Sequence, residues 1–451
     1  MMYKIKSIKA NNKINPSSVL AYGFIIVIFL GTILLTLPIA SKNGESVGLI
    51  NALFTSTSAV CVTGLIVVNT AAYWSIFGKI VIMLLIQIGG LGFMSMATLV
   101  AVLMGKKIGL RNRIMIQESL GQFTISGVVR LTIRIMQATF VIEFIGAVLL
   151  ATKFIPEFGL KKGMFFGMFH SVSAFCNAGF DIIGNSLENY VGDPVINFTI
   201  MFLIILGGIG FTVIIDIVKV KKIKKLTVHS KLILTVTFVL LISGFIFFFV
   251  LEYSNPETLG NLSLKDKFLA SAFQSVSPRT AGFNSIPTGG LRNSSKFLTI
   301  IFMFIGGSPG STAGGIKTAT FGLILLAVYA EITGKNEIVF AKRRISNETI
   351  SRALSIFTMA STLVIIVTMI LSITEVKFEF IDIFFESVSA FGTVGLSTGI
   401  TGGLSSFGKV VITITMFLGR VGPLTVATAI ATRHSGKNAL IRYPEGKIYV
   451  G

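Results

Sequence analysis

The feature that most constrains this chain is a series of eight long stretches with almost no charged residues. A helix needs about 20 mostly apolar residues to cross the hydrocarbon core of a bilayer. Two stretches carry one charge each, Glu143 in 135–152 and Arg420 in 410–432. The other six are uncharged, at 14–41, 80–105, 194–215, 232–251, 297–316 and 353–374. The pattern predicts eight membrane-spanning helices, the first retained rather than cleaved as a signal.

Composition excludes most other classes of protein. Charged residues make up 13% of the 451 residues, about half the ~25% usual for a soluble domain. Hydrophobic residues reach 53%, which excludes an ordinary soluble enzyme and a disordered chain. The two cysteines, Cys61 and Cys176, are too few for a disulfide scaffold or a Cys-rich zinc site. The expected fold class is an all-α polytopic membrane protein.

The net charge of +20 is distributed unevenly along the chain. Eight crossings place both termini on one side. If that side is the cytoplasm, the cytoplasmic pieces hold 26 Lys and Arg against five acids, and the external pieces hold twelve of each. This asymmetry follows the positive-inside rule and predicts a multi-pass plasma-membrane protein with cytoplasmic termini. Because the charge reports topology, and no basic segment is interleaved with aromatic residues, nucleic acid is not an expected partner.

Between the two spans of each pair lies a segment that is too short to cross the membrane. The four segments share Phe-x-Ser-x-Ser before a glycine, and read FTSTSAVCVTGL (54–65), FHSVSAFCNAGF (169–180), FQSVSPRTAGF (273–283) and FESVSAFGTVGL (385–396). Each unit is therefore a span, a re-entrant segment and a span. The predicted organisation is an N-terminus (1–17), repeat 1 (18–105), repeat 2 (106–219), repeat 3 (220–334), repeat 4 (335–432) and a C-terminal tail (433–451).

The repeated segments predict a pore. Irregular backbone at membrane depth is tolerated only where it is buried in protein or lines a water-filled cavity. Four such segments can surround a pseudo-fourfold axis, and rings of backbone carbonyls that replace a hydration shell select potassium. Glycine suits the turn because it accepts positive φ. The predicted K⁺ filter, which contains no carboxylate, consists of Val62, Thr63, Gly64, Asn177, Ala178, Gly179, Thr280, Ala281, Gly282, Thr393, Val394 and Gly395.

These filter segments, together with four further motifs, resemble the Trk/Ktr/HKT superfamily of potassium transporters, and within it the membrane subunits of bacterial Ktr systems. The further motifs are QIGGLGF (87–93), GGIGFT (207–212), GRVGPLT (419–425) and the tail IRYPEG (441–446). The resemblance covers nearly the whole chain. It implies a subunit that translocates K⁺, often with Na⁺ as an activator, and that carries no organic cofactor. In the plant branch, serine at the first filter glycine accompanies sodium preference, so Gly64 favours potassium.

The resemblance also implies the partners. The chain is expected to form a homodimer with one pore per protomer in the lipid bilayer. The dimer would rest on a cytosolic octameric ring of KtrA- or KtrC-type regulators that bind nucleotide. The longest internal cytoplasmic segment has about 35 residues, too few for a nucleotide-binding domain of its own. The tail 442–451 is expected to reach the second protomer.

A glycine-rich loop interrupts the sixth predicted span. Five glycines and a proline in GGSPGSTAGGIK (306–317) disfavour a continuous helix. The Walker phosphate-binding spacing fails, because Ile316 separates Gly315 from Lys317. As in the resembled family, we expect loop 304–317 to be a mobile gate below the filter. The predicted gate residues are Gly306, Gly307, Gly310, Gly314, Gly315, Asp216, Lys317 and Arg420.

Charges inside membrane segments are functional candidates, because isolated burial is costly. We hypothesise that Arg420 and Asp216 hydrogen-bond the loop or pair with Lys317. The alternative places Asp216 at the headgroup level and makes Arg420 a tie between helices. Glu143 is either a packing partner or a sodium or proton site. Asp382 and Glu386, on the fourth re-entrant segment, either attract cations or are solvated surface acids.

The alternative function is a Na⁺/K⁺ or H⁺/K⁺ symporter that works by alternating access. Such folds usually contain inverted two-part repeats, whereas each repeat here has the same order and returns to the same side. An enzyme has no support in the sequence, because His170, His229 and His434 do not cluster and no Ser–His–Asp set is visible.

Overall fold

Each repeat contains a long helix followed by a short one, and in repeats 1, 2 and 3 the helix that follows is interrupted. The computed structural model describes residues 16–104, 108–119, 126–220, 222–335 and 337–422. In chain order the helices are α1 (Pro16–Thr36), α2 (Leu49–Val60), α3 (Thr70–Tyr73), α4 (Ile76–Leu91), α5 (Phe93–Leu103), α6 (Leu110–Ser119), α7 (Val128–Phe158), α8 (Leu160–Phe175), α9 (Pro194–Ile209), α10 (Phe211–Val220), α11 (Val228–Glu252), α12 (Leu264–Val276), α13 (Asn293–Phe304), α14 (Thr318–Ile332), α15 (Asn347–Thr374), α16 (Phe380–Gly392) and α17 (Ser406–Val421).

The helices α1, α7, α11 and α15 open the four repeats. Among the described residues, these four helices are individually long and apolar enough to cross a membrane, and the bent pair α9–α10 brings the number to five. Large apolar side chains cover their outer faces, with Phe144 70% exposed on α7 and Ile373 73% exposed on α15. Such faces suit a hydrocarbon environment, because soluble proteins rarely expose contiguous apolar surface on this scale.

The prediction of a continuous second span is wrong for repeats 1 and 2. The stretch 80–105 is divided between α4 and α5 at Gly92, and 194–215 is divided between α9 and α10, which meet at 95°. In repeat 3 the helix α13 ends at Phe304 and the glycine-rich loop follows, as the glycines and the proline predict. The helix α17 ends at Val421, and residues 423–432 lie outside the described residues. The cause is the glycines embedded in each apolar stretch, since glycine lowers helix stability without lowering hydropathy much.

The four short helices α2, α8, α12 and α16 are the re-entrant helices predicted from the repeats. The first phenylalanine of each motif is fully buried, at Phe54, Phe169, Phe273 and Phe385. The first serine of the motif ties the re-entrant helix to the opening helix in three repeats. These hydroxyls donate from Ser56 to Ile28 O at 2.7 Å, from Ser171 to Glu143 O at 2.6 Å and from Ser275 to Leu241 O at 2.9 Å. In repeat 4, Ser387 instead donates within its own helix.

A glycine on each of the first three opening helices makes room for that serine. A Cβ atom on Gly31 would collide with Ser56 Oγ, and one on Gly146 would lie 2.6 Å from Ser171 Oγ. On Gly244 it would lie 3.0 Å from the Cβ of Ser275. These small residues let two helices approach closely, as is usual for packing inside membranes.

The segment between α14 and α15 contains a two-residue hairpin. Strand β1 (Val339–Phe340) pairs antiparallel with β2 (Arg343–Arg344). The turn residues Ala341 and Lys342 have φ of 50° and 62°, as a type I′ turn requires. The N-terminus 1–15 and the tail 433–451 lie outside the described residues. The cytoplasmic position of both termini and the contact of the tail with the second protomer therefore stay predictions.

Close packing at Gly146 predicts that Gly146→Ala destabilises the protein by about 1–3 kcal/mol, because the added methyl group overpacks Ser171 and Leu203. Thermal unfolding of the detergent-solubilised protein measures the effect. Gly109→Ala is the matched control, since nothing lies within 4 Å of a Cβ there. Equal melting temperatures for the two variants would contradict the packing account.

Candidate functional site

The backbone of the predicted filter segments has the same shape in all four repeats. The first residue of each predicted filter triplet has positive φ: Val62 at 57°, Asn177 at 58°, Thr280 at 70° and Thr393 at 49°. The motif glycines Gly64, Gly179, Gly282 and Gly395 follow at 92°, 68°, 75° and 91°. Positive φ is a genuine outlier for β-branched residues such as Val62. Surrounding structure must therefore hold each filter segment in this conformation.

The second serine of each motif holds the filter segment in place. Ser58 accepts at its hydroxyl from Gly64 N at 3.0 Å and donates to Leu65 O at 2.8 Å. Ser389 accepts from Gly395 N at 3.1 Å. Ser173 donates to Phe180 O at 2.8 Å, and Ser277 donates to Phe283 O. No role was predicted for these serines from the sequence, although their recurrence in all four motifs could have indicated one.

The four filter glycines close a ring. A Cβ on each glycine would meet the next repeat. On Gly64 it would collide with Ala178 O, and on Gly179 it would lie 3.0 Å from Ala281 O. On Gly282 it would lie 2.5 Å from Val394 O, and on Gly395 it would collide with Thr63 O. Repeat 1 thus contacts repeat 2, and so on until repeat 4 contacts repeat 1. The contacts thus close a ring of the four glycines and the four residues that precede them, and the second residue of each triplet turns its carbonyl toward the neighbouring glycine.

The glycine-rich loop packs against repeat 2 below this ring. The hydroxyl of Thr312 donates to Phe175 O, at the end of α8, at 3.2 Å. Backbone amides continue the contact, from Thr312 N to Gly207 O at 3.2 Å and from Ser308 N to Gly208 O at 2.9 Å. The loop thus fills the interruption between α9 and α10.

The loop also touches the fourth filter segment. A Cβ on Gly314 would collide with Thr393 Oγ1 and lie 3.0 Å from Gly392 O. The same test explains Gly306, where a Cβ would collide with Gly314 O across the loop. Gly306 and Gly314 are therefore positions at which the loop approaches its own backbone or the filter too closely for a side chain, whereas Gly310 and Gly315 have positive φ of 67° and 63°.

Arg420 links the loop to repeat 1. Its guanidinium donates to the carbonyl of Thr312 in the loop and to the carbonyls of Gly89 and Gly90, the latter at 3.2 Å. Lys317 donates to Ala313 O, within the loop itself. The predicted hydrogen bond between Arg420 and the loop is present, and it joins three segments that are far apart in the sequence.

The predicted contact between Asp216 and the loop is wrong. The carboxylate of Asp216 accepts from Thr227 N at 3.0 Å and from Ser230 Oγ at 2.6 Å. These groups begin α11, where the free amides of a helix N-terminus favour an acid. Among the described residues no ion pair joins Asp216 to Lys317.

The other intramembrane acids are buried and partnered. Glu143 is 5% exposed and accepts from Gln87 Nε2 at 3.0 Å. Glu386 is fully buried and accepts from the hydroxyls of Ser397, at 2.8 Å, and Thr401, so the solvated reading is wrong for it.

Asp382, the other acid on α16, is part-buried and pairs with Lys296 at 2.9 Å. No group of three or more His, Cys, Asp or Glu side chains that could hold a metal occurs in the described ranges. At the ring itself, the groups that face the filter glycines are backbone carbonyls.

Three comparisons place this geometry among known proteins. A model of the TrkH family, described as cation transport protein, matches residues 6–441. The Ktr system potassium uptake protein B of Bacillus subtilis is 45% identical, and the alignment covers 97% of each chain. The potassium/sodium uptake protein NtpJ of Enterococcus hirae is 44% identical, over 98% of this chain and 99% of that one. The crystal structure of the potassium transporter TrkH from Vibrio parahaemolyticus aligns with a TM-score of 0.74 at 16% identity, over 93% of this chain and 85% of that one.

The bonds of Arg420 predict how accessible the loop is. Thr312 is fully buried, so a cysteine at Thr312→Cys should react slowly with a polar thiol reagent. Adding Arg420→Ala removes the charged hydrogen bonds, worth about 1.5–3 kcal/mol, and should speed labelling by on the order of tenfold. The native cysteines are buried, so the protein without Thr312→Cys measures the background. A labelling rate that does not depend on residue 420 would show that Arg420 does not hold the loop.

Proposed function

Because this chain belongs to the TrkH family of cation transport proteins, we propose that it is the pore-forming subunit of a K⁺ uptake system. The sequence-based resemblance to the Trk/Ktr/HKT superfamily is confirmed, and the chain is a multi-pass membrane transporter. Potassium as the transported ion rests on relatives that are named potassium uptake proteins. The observation that carries the pore is the closed ring of Gly64, Gly179, Gly282 and Gly395.

The ring supports selection by backbone carbonyls. A dehydrated K⁺ needs several oxygens at once, and each repeat supplies the same short segment with its carbonyls near the axis. The side chains of the triplets differ between repeats, whereas the backbone angles agree. Selection by carbonyls accounts for that difference, because the ion then contacts what the repeats have in common. The filter is proposed to comprise all twelve predicted residues.

The re-entrant helices support the same role electrostatically. Their C-terminal ends lead directly into the filter segments, and the C-terminal end of a helix carries partial negative charge. The last turns of α2, α8 and α16 contain the carbonyls of Val60, Phe175 and Phe391. Each of these carbonyls contacts a glycine of the second span. Negative helix ends around a central site favour a cation there.

The loop at 304–317 is proposed to be the gate. With Arg420 bonded to Thr312, the loop lies directly beneath the filter, and release would open the path. We place the termini in the cytoplasm of a plasma-membrane protein and keep the predicted repeat boundaries. The proposed assembly is a homodimer on a nucleotide-binding octameric regulatory ring, with Na⁺ as an activator. A relative from Bacillus subtilis is named as part of a Ktr system, which supports a separate partner.

The alternative of a coupled symporter draws on one observation. Glu143 is a buried carboxylate within α7, the kind of group that binds coupling ions in transporters. A symporter would lose coupled flux in Glu143→Gln and would show no single-channel currents, whereas a gated pore conducts in the variant.

The ring predicts that Gly64→Ala lowers rubidium flux through proteoliposomes by at least on the order of tenfold, since the added methyl group collides with Ala178 O. Gly48→Ala is the matched control. Gly48 has a similar φ, 83°, but nothing within 4 Å, so it reports backbone strain alone. Flux that falls equally in both variants would remove the ring from the explanation.

The gate predicts the opposite change for Arg420→Ala. Losing the hydrogen bonds to Thr312, Gly89 and Gly90 should raise rubidium flux in the absence of any partner, by on the order of tenfold. Arg420→Lys keeps the charge but not the planar, forked set of donors. Its rubidium flux should lie between those of the wild type and Arg420→Ala. Unchanged flux at equal protein density would count against the loop as the barrier.

A further inference from the structure

Repeat 3 differs from the other repeats at the position before its filter segment. Where repeats 1, 2 and 4 carry the small uncharged residues Cys61, Cys176 and Gly392, the shorter third motif carries Arg279. Its side chain is 6% exposed. A cation therefore lies buried beside one filter segment of a protein proposed to bind cations in that filter.

The guanidinium of Arg279 is poorly satisfied. Its Nη2 donates to Thr237 Oγ1, on α11, at a long 3.4 Å, and its Nε has no partner. In the part of the chain that the structure describes, none of the ion pairs includes Arg279. By contrast, Arg420 donates to three carbonyls. Packing alone does not explain an arginine with so few partners, because burying an uncompensated charge is costly.

The place of the charge in the pore is defined by its neighbours along the chain. The amide of Arg279 donates to Val276 O, at the end of α12, at 3.2 Å, and Thr280 begins the filter segment. The backbone of Arg279 thus lies at the end of the filter nearest the re-entrant helix, where helix ends carry partial negative charge, and its guanidinium reaches Thr237 on α11.

We propose that Arg279 is a specificity-determining residue that weakens cation binding at the inner end of the filter, so that a K⁺ bound there is released toward the gate. The ring and the helix ends attract the ion, and conduction also requires that the ion leave. One fixed positive charge, shielded from water, opposes that attraction without touching the ion. This inference rests on the proposed filter.

Two variants remove the charge in different ways. Arg279→Gln deletes it, and Thr237→Glu places a carboxylate beside the guanidinium and neutralises it. Both should lower the KM for rubidium uptake by on the order of tenfold, as expected for one unit charge roughly 12 Å away at an effective dielectric of about 20. The maximal rate should fall, because release becomes slower. Arg279→Lys should keep a KM closer to that of the wild type than Arg279→Gln does.

Thr237→Gln separates charge from bulk, because it matches the size of glutamate without its charge. A lower KM in Thr237→Glu together with an unchanged KM in Thr237→Gln supports the proposal. This comparison tests the role of the charge even where Arg279→Gln does not fold. A KM that is unchanged or higher in both Arg279→Gln and Thr237→Glu, with flux in the wild type, overturns the role of Arg279 alone. No flux above empty vesicles in the wild type overturns the proposed function instead.

Discussion

The structure depends on one constraint: backbone amides and carbonyls at membrane depth must bond within the protein or face an ion or water. Glycine meets that constraint wherever two segments must touch. Gly89, Gly207 and Gly419 each lie so close to a carbonyl in the last turn of a re-entrant helix that a Cβ would collide with it. Repeat 3 departs from this pattern, because Gly306 faces Gly314 of its own loop. The four repeats thus form one frame, with an irregular insertion in the third.

The proposed gate residues lie where the fourfold pattern fails. Repeats 1 and 2 supply ordinary filter segments and interrupted second spans. Repeat 3 adds the loop and the buried charge of Arg279, and repeat 4 adds Arg420, which reaches across to the loop. A symmetric frame suits a binding site that surrounds an ion on all sides. A gate must be able to take two positions, and the proposed gate is a single loop that Arg420 and repeat 2 hold by a few hydrogen bonds outside the repeated frame.

Much of the frame could be predicted from the sequence, because the repeated motif carries the re-entrant helices and the filter glycines together. The interruptions at Gly92 and Gly210 could not be predicted in this way, since hydropathy measures compatibility with lipid and does not indicate where a helix ends. The serine pairs were visible as a pattern, but their roles needed the distances to Ile28 O and Leu65 O. Asp216 was misjudged because proximity to a span boundary does not tell which neighbouring helix an acid will cap.

The central claim is that a dehydrated cation lies on the axis between the four filter glycines. The most direct measurement is an experimental density map of the protein with thallium or rubidium, in which anomalous scattering marks the ion. We expect a peak on the axis at the level of Gly64, Gly179, Gly282 and Gly395, bounded by backbone carbonyls of all four repeats. An empty axis, with the ion instead at a side-chain site such as Glu143, would contradict the claim.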